Sequence, residues 1–329
     1  MKIAIFDLQP HEKKLFNHLM PQHKVVYFKE SVDEADLSKI KDFDVISVFV
    51  TSKVNSEIIK KFPKLKLIAT RSTGFDHVDL KVCKKKKITV CNVPAYGENT
   101  VAEHAFALLL SLARKIPDAC LMAMNKKFDQ KALKGCDLHE KTIGVIGAGK
   151  IGKNVIKIAH GFGMEILAYD IKKDKLLSEI LDFKYTDIKT LLKKSDIISL
   201  HAPYNKLTHH MLNKKNMKFI KRGAIFINTA RGGLVETDAL IKALENKTII
   251  AAGLDVLEEE NLIIKNQKPT VKQKEILNKN KKLLSMKNVL FTPHIAFNTC
   301  EAVERITETT IENMLSFQAG QKINTVDYK

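Results

Sequence analysis

A chain of 329 residues, 45% hydrophobic and 28% charged, is long for a single core and too apolar to stay disordered, so two globular domains are expected. Its 55 basic side chains against 37 acidic ones give a formal charge of +18, yet only Arg71, Arg114, Arg222, Arg231 and Arg305 are arginine and no aromatics interleave the basic residues; a solvated lysine-rich surface is predicted, with no nucleic-acid partner. The opening MKIAIFDLQPHEKK holds only a short apolar run, no stretch approaches membrane-spanning length, and five scattered cysteines never fall in CxxC spacing, which together predict a cytoplasmic protein with reduced thiols, no membrane contact and no metal site.

The first part of the chain alternates short apolar runs with helical segments. Strands are predicted at 3–6, 25–28, 45–50, 67–69 and 88–91, which points to a parallel sheet with covered faces. No glycine fingerprint lies there. The tight turn Ser72-Thr73-Gly74 comes directly after one predicted strand, where parallel sheets hold ligands. After Pro94-Ala95-Tyr96-Gly97 comes ENTVAEHAFALLLSLARKI, apolar around most of its circumference, which predicts one buried helix over 98–116.

The stretch KTIGVIGAGKIGKNVIKIAHGFGMEILAYD organises the second part of the chain. A β-branched run at 142–146 precedes Gly147, Gly149 and Gly152 in GxGxxG spacing, then a helical face and a second apolar run that ends at Asp170. Strand, glycine turn, helix, strand and acid make the βαβ unit that binds a dinucleotide. Gly147 permits the turn, Gly149 admits a pyrophosphate, and Gly152 lets the helix approach the strand. Asp170 can accept from a ribose diol and would repel a 2′-phosphate, which favours NAD, although Lys172 and Lys173 stand close by. Further strands are predicted at 197–200, 224–227, 250–254 and 289–291, with a lysine-rich insertion between Glu260 and Met286. A last helix over 299–319 has Asn298 and Glu301 at capping-box spacing and Gly320 as its stop. The expected organisation is a substrate domain beginning with 1–98, a nucleotide domain over 99–295, and a C-terminal helix within 296–329 that returns to the first domain.

Nicotinamide-dependent chemistry on a C–OH/C=O pair needs an acid/base and a cation to polarise the carbonyl. Arg231 lies just after the predicted strand AIFINTA, and its planar fork can grip a carboxylate through two bonds. Two histidines also come after strands, His201 in IISLHAP and His294 in VLFTPHIA, and spacing alone does not choose between them. The run Glu258-Glu259-Glu260 comes after the strand AAGLDVL. A carboxylate bonded to a histidine favours its protonated form, as carbonyl reduction near neutral pH requires.

RSTGFDHVDL, PAYGENTVAEHAFALLLSLARKI, TIGVIGAGKIG, NTARGG, GLDVLEEE and FTPHIAF resemble, in order, the signature blocks of the D-isomer-specific 2-hydroxyacid dehydrogenases. The resemblance spans essentially the whole chain. It implies a Rossmann NAD-binding domain and a flavodoxin-like α/β substrate domain built from both chain ends, which close over the substrate. By resemblance, Arg231 binds the substrate and polarises its keto group, His294 is the acid/base, and Glu260 pairs with it, while His201 lies beside the cofactor. NAD would be held by Gly147, Gly149, Lys150, Ile151, Gly152, Asp170, Ala202, Pro203, Thr208, Thr229, Ala230 and Asp255. Thr73 and Gly74 would hold the substrate carboxylate, and Tyr96 and Phe297 would wall the pocket. The insertion after Glu260 resembles the fermentative D-lactate-forming subgroup, which implies pyruvate as substrate and a homodimer. Two other readings stay open, a bulkier or different 2-keto acid and a non-catalytic NAD-sensing scaffold of the same fold.

Overall fold

The computed structural model describes residues 1–19, 21–38, 40–264 and 269–327. Two compact units emerge, one of Met1–Tyr96 with Asn298–Lys329, the other of Gly97–Phe297. Each is built on its own parallel sheet.

The first unit holds β1 (Lys2–Ile5), β2 (Lys24–Tyr27), β3 (Val45–Val48), β4 (Leu67–Thr70) and β5 (Thr89–Cys91). Their spatial order, β2-β1-β3-β4-β5, is that of a flavodoxin-like sheet, and every pairing is parallel. Both faces are covered, so β3 and β4 read as unbroken buried runs rather than as alternating ones. One face packs around Phe6, Phe43, Ile46 and Ile68. The other is closed by the helix Cys300–Gln318, whose Ile311 and Met314 pack with Ile5, Phe16 and Leu67. Cys83 and Cys91 are buried here, and desolvation pushes both thiols up to about 11.

The second unit holds β6 (Thr142–Ile146), β7 (Glu165–Tyr169), β8 (Lys184–Tyr185), β9 (Ile197–Leu200), β10 (Ala224–Asn228), β11 (Ile249–Leu254) and β12 (Val289–Phe291). Their order is β12-β11-β10-β9-β6-β7-β8, a Rossmann sheet whose direction of winding reverses between β6 and β9. The glycine turn after β6 and the loop after β9 therefore meet at the switch point. A Cβ on Gly147 would lie 2.6 Å from Ala202 N, and its φ of +95° is open only to glycine at low cost. On Gly152 a Cβ would stand 1.9 Å from the Gly147 carbonyl oxygen, so the helix Lys150–Gly161 can start this close to the strand only without a side chain.

Four local expectations are corrected. The apolar segment 98–116 is not one helix: Glu98–Ala113 ends where Lys115 takes a φ of +56°, and a second helix, Ile116–Met124, begins with Pro117 in its first turn. The strand expected over 45–50 stops at Val48. The final helix is capped by Thr299, whose hydroxyl accepts from Ala302 N–H, rather than by Asn298. The insertion after Glu260 is largely helical, as Glu260–Ile264 and Val271–Ser285, while its residues 265–268 lie outside the described residues. Among the described residues no helix is long and apolar enough to cross a membrane.

Candidate active site

Three loops of the second unit leave the carboxyl ends of β10, β11 and β12, which are neighbours in the sheet. They bring Arg231, Asp255 with Glu260, and His294 to the same edge.

Asp255 comes directly after β11 and is fully buried. Its Oδ1 accepts from Thr292 Oγ1 (2.6 Å) and Ile295 N–H (2.9 Å), and its Oδ2 accepts from Ala296 N–H (2.9 Å). The Asp255 carbonyl also accepts from His294 N–H (2.8 Å). The loop that carries His294 is thus wrapped around one carboxylate, which holds the His294 backbone at a φ of +54°, uncommon for a residue with a side chain. His104, from the helix Glu98–Ala113, adds a further bond from Nε2 to Thr292 Oγ1 (3.0 Å). The Thr292 proton points to the carboxylate, so its oxygen accepts and His104 Nε2 is the donor. Asp255, expected beside the nicotinamide, spends its carboxylate on these internal donors.

Within this frame His294 Nδ1 lies 2.6 Å from Glu260 Oε1. The carboxylate can only accept, so Nδ1 carries a proton and Nε2 is left to face a reactant. The other Glu260 oxygen accepts from Leu257 N–H (2.9 Å). Both side chains of the pair are about four-fifths buried, with exposures of 20% and 17%, so the interaction is weakly screened by water. The Phe297 ring stands edge-on to the imidazole at 6.4 Å. Their surroundings separate the two histidines that spacing left equivalent. His201 bonds through Nε2 to Ser199 Oγ (2.7 Å), and desolvation lowers its imidazole to about 4, which keeps it neutral near pH 7.

Arg231 leaves the end of β10 in a turn that Asn228 shapes, accepting from Ala230 N–H (3.0 Å) and donating to the Arg231 carbonyl (3.1 Å). The Arg231 guanidinium donates through Nη1 to the Ala230 carbonyl (2.9 Å), one of its several N–H groups.

At the switch point the residues fit a dinucleotide. The place a Cβ on Gly149 would occupy is open space, directly before the first turn of the helix Lys150–Gly161. Two buried polar atoms nearby along the same edge, Thr229 Oγ1 and His201 Nδ1, have no hydrogen-bond partner among the described residues. Asp170 Oδ2 accepts from Ala148 N–H (2.7 Å) and Oδ1 from Lys172 N–H (2.8 Å), so this acid fixes the glycine turn as well as standing at the end of β7. Lys150 pairs with Glu98 at 3.3 Å, and Ile151 and the buried Gly152 come next on the helix. Ala202 is buried and Pro203 exposed, and Thr208 Oγ1 donates to the Pro203 carbonyl (2.7 Å).

The sequence that builds this unit matches a family model. Residues 106–296 match the model for the NAD-binding domain of the D-isomer-specific 2-hydroxyacid dehydrogenases. The chain belongs to that family. NAD is its cofactor, and the chain is an oxidoreductase for 2-hydroxy acids. Among solved structures of the family, D-lactate dehydrogenase from Aquifex aeolicus, complexed with NAD and lactic acid, superposes with a TM-score of 0.89 at 38% identity, over 97% of this chain and 96% of that one. D-lactate dehydrogenase from Escherichia coli is 33% identical over 98% of both chains. Hydroxypyruvate reductase from Thermotoga maritima is 39% identical over 93% of this chain and 95% of its own.

The first unit carries the remaining expected residues. Thr73 Oγ1 donates to the Val93 carbonyl (2.8 Å), Asn92 Nδ2 donates to the Thr73 carbonyl (2.8 Å), and Ser72 Oγ donates to the Gly74 carbonyl (2.6 Å). The turn is therefore rigid, with Thr73 exposed. The Tyr96 carbonyl accepts from Arg305 Nε (2.7 Å). Sequence reasoning did not single out His104, Thr292, His210 or Asn280, because each acts through a partner far away along the chain.

Proposed function

We propose that the chain catalyses the reversible reduction of pyruvate to D-lactate with NADH. The observation that carries this reading is the 2.6 Å contact between Glu260 and His294, placed with Arg231 on one edge of an NAD-binding sheet. When bound, the nicotinamide supplies the hydride to the keto carbon and takes it back in the reverse direction. Arg231 grips the substrate carboxylate and draws charge towards the keto oxygen. His294 delivers the proton on Nε2 to that oxygen, and Glu260 stabilises the imidazolium beforehand by accepting from Nδ1. His201, neutral and bonded to Ser199, takes no part in proton transfer. The glycine turn, Lys150, Ile151, Asp170, Ala202, Pro203, Thr208, Thr229, Ala230 and Asp255 are assigned to the cofactor, with Asp255 also supporting the His294 loop. Thr73 and Gly74 are assigned to the substrate carboxylate, and Tyr96 and Phe297 to the walls around its methyl group. Residues 1–98 with 296–329 would then form the substrate domain and 99–295 the nucleotide domain.

D-lactate dehydrogenases among the relatives and the helical insertion after Glu260 support pyruvate. The hydroxypyruvate reductase relative favours a second reading, a 2-keto acid with an added hydroxyl. The test is NADH oxidation at neutral pH against pyruvate, hydroxypyruvate, glyoxylate and branched and aromatic 2-keto acids, with NADPH as control and the product assayed for chirality. Pyruvate is expected to give the highest kcat/KM and D-lactate as product. A preference of ten-fold or more for another acid would keep the mechanism and replace the substrate.

The reading includes a cytoplasmic homodimer. All five cysteines are free thiols, as in a reducing compartment. The helix Ile116–Met124 has no buried residue, and Ile116, Leu121 and Met124 are 50%, 61% and 82% exposed, an apolar surface that a second copy would cover. Sedimentation equilibrium at micromolar concentration would return a monomer mass if this is wrong.

A further inference from the structure

The helix Val271–Ser285 within the insertion has no role in the chemistry proposed above. It opens on a Thr270–Gln273 capping box, and lysines cover its outer side. Only Asn280 and Leu283 are buried along it. Leucine at such a position needs no explanation, but a fully enclosed asparagine does. Asn280 Nδ2 donates to the Glu258 carbonyl (2.7 Å), while Oδ1 is enclosed with no hydrogen-bond partner among the described residues. An amide kept in the core with half of its bonding capacity unmet costs stability, so packing does not account for it.

The bond it does make falls on the turn that carries Glu260. Glu258 is fixed in three directions. Its carbonyl is held by Asn280, its Oε1 contacts His210 Nε2 (2.7 Å), and its Oε2 accepts from Thr237 Oγ1 (2.7 Å). Its backbone also passes close to the turn after Arg231, where only a glycine fits, since a Cβ on Gly232 would lie 2.2 Å from Glu258 N. Glu259 comes next at a φ of +55°, and Leu257 N–H grips Glu260 Oε2. The direction in which Glu260 offers Oε1 to His294 therefore depends on where residue 258 is held.

We infer that Asn280 is a positioning residue, through which the insertion helix fixes the turn at 257–260 and aims Glu260 at His294. The inference rests on the reading of Glu260 and His294 as the acid/base pair. Removing the Asn280 amide should loosen Glu260 and slow the chemical step, while the glycine turn after β6, held by Asp170 and by the close approach of Ala202, stays as it was.

The experiment compares Asn280→Leu, Glu260→Gln and the double variant, with pyruvate and NADH as probes. Asn280→Leu has the same branched shape and removes the unpartnered Oδ1, but it also takes the donor from the Glu258 carbonyl, so the two effects oppose and its melting temperature should stay close to that of the unaltered chain. Its kcat is expected to fall about ten-fold, with the KM for pyruvate and the NADH dissociation constant, from fluorescence, within two-fold. In the Glu260→Gln background the same change should cost no further kcat, because both act through one contact. Asn280→Ala, which also lacks the donor, carries the same expectation for kcat if the leucine variant does not fold. An undiminished kcat in Asn280→Leu beside a slow Glu260→Gln overturns the inference alone, as does a fully multiplicative double variant. A Glu260→Gln enzyme with unchanged kcat overturns the acid/base reading and the inference with it.

Discussion

Replacing His294 with glutamine is expected to lower kcat for pyruvate reduction about a thousand-fold, within the range for loss of a positioned general acid. Glutamine can still bond to Glu260 but has no proton to give at the position of Nε2. The loop should survive the change. Its backbone is held by Asp255 through Thr292, Ile295 and Ala296, none of which contacts the imidazole. NADH affinity, measured by fluorescence, should stay within two-fold. This combination, intact binding with lost turnover, separates an acid/base from a residue that only supports the fold. A His294→Gln enzyme that keeps a tenth or more of its kcat would move the proton donor elsewhere.

Arg231→Lys is expected to cost about a hundred-fold or more in kcat/KM although the charge is conserved. An ammonium is a point charge, whereas a guanidinium presents parallel donors to a carboxylate and can reach the keto oxygen with another N–H. The loss should appear in both KM and kcat, since the carboxylate is bound in the ground state and charge grows on the oxygen only in the transition state. The turn itself is shaped by Asn228 through the Ala230 N–H and the Arg231 carbonyl, so its backbone should persist although the changed side chain also bonds the Ala230 carbonyl. Equal kcat/KM for the two enzymes would show that charge alone suffices and that the fork is unused.

What the sequence reveals depends on how local the physical cause is. The glycine turn is legible because its backbone demands, a positive φ at Gly147 and an absent side chain at Gly152, are written at fixed spacing. The parallel sheets are legible because buried strands such as β4 and β10 are unbroken apolar runs. The break at Lys115 was signalled by Pro117, which suits a first helical turn and not a helix interior, but the apolar periodicity runs straight through it. Spacing could not choose between His201 and His294, because the difference lies in what surrounds them: Ser199 and dehydration for one, a carboxylate for the other. Resemblance to the family supplied that choice. The supports of the site were beyond both, since the His104–Thr292 bond spans 188 residues and the Asn280–Glu258 bond joins an insertion to a strand end.

The two buried thiols of the first unit have a use outside catalysis. With Cys83 and Cys91 pushed up to about 11, each is about one-thousandth thiolate at pH 8, and neither is accessible. Cys120, Cys136 and Cys300 are exposed. An alkylating reagent added to the native chain should therefore label Cys136 and Cys300 quickly, and Cys120 at a rate set by how often a second copy leaves the helix Ile116–Met124, and then pause. The fourth and fifth labels report moments when the flavodoxin-like sheet opens, and their rate, tracked by mass, gives the opening equilibrium of that unit alone. The chain thus carries its own clock for the breathing of one of its two halves.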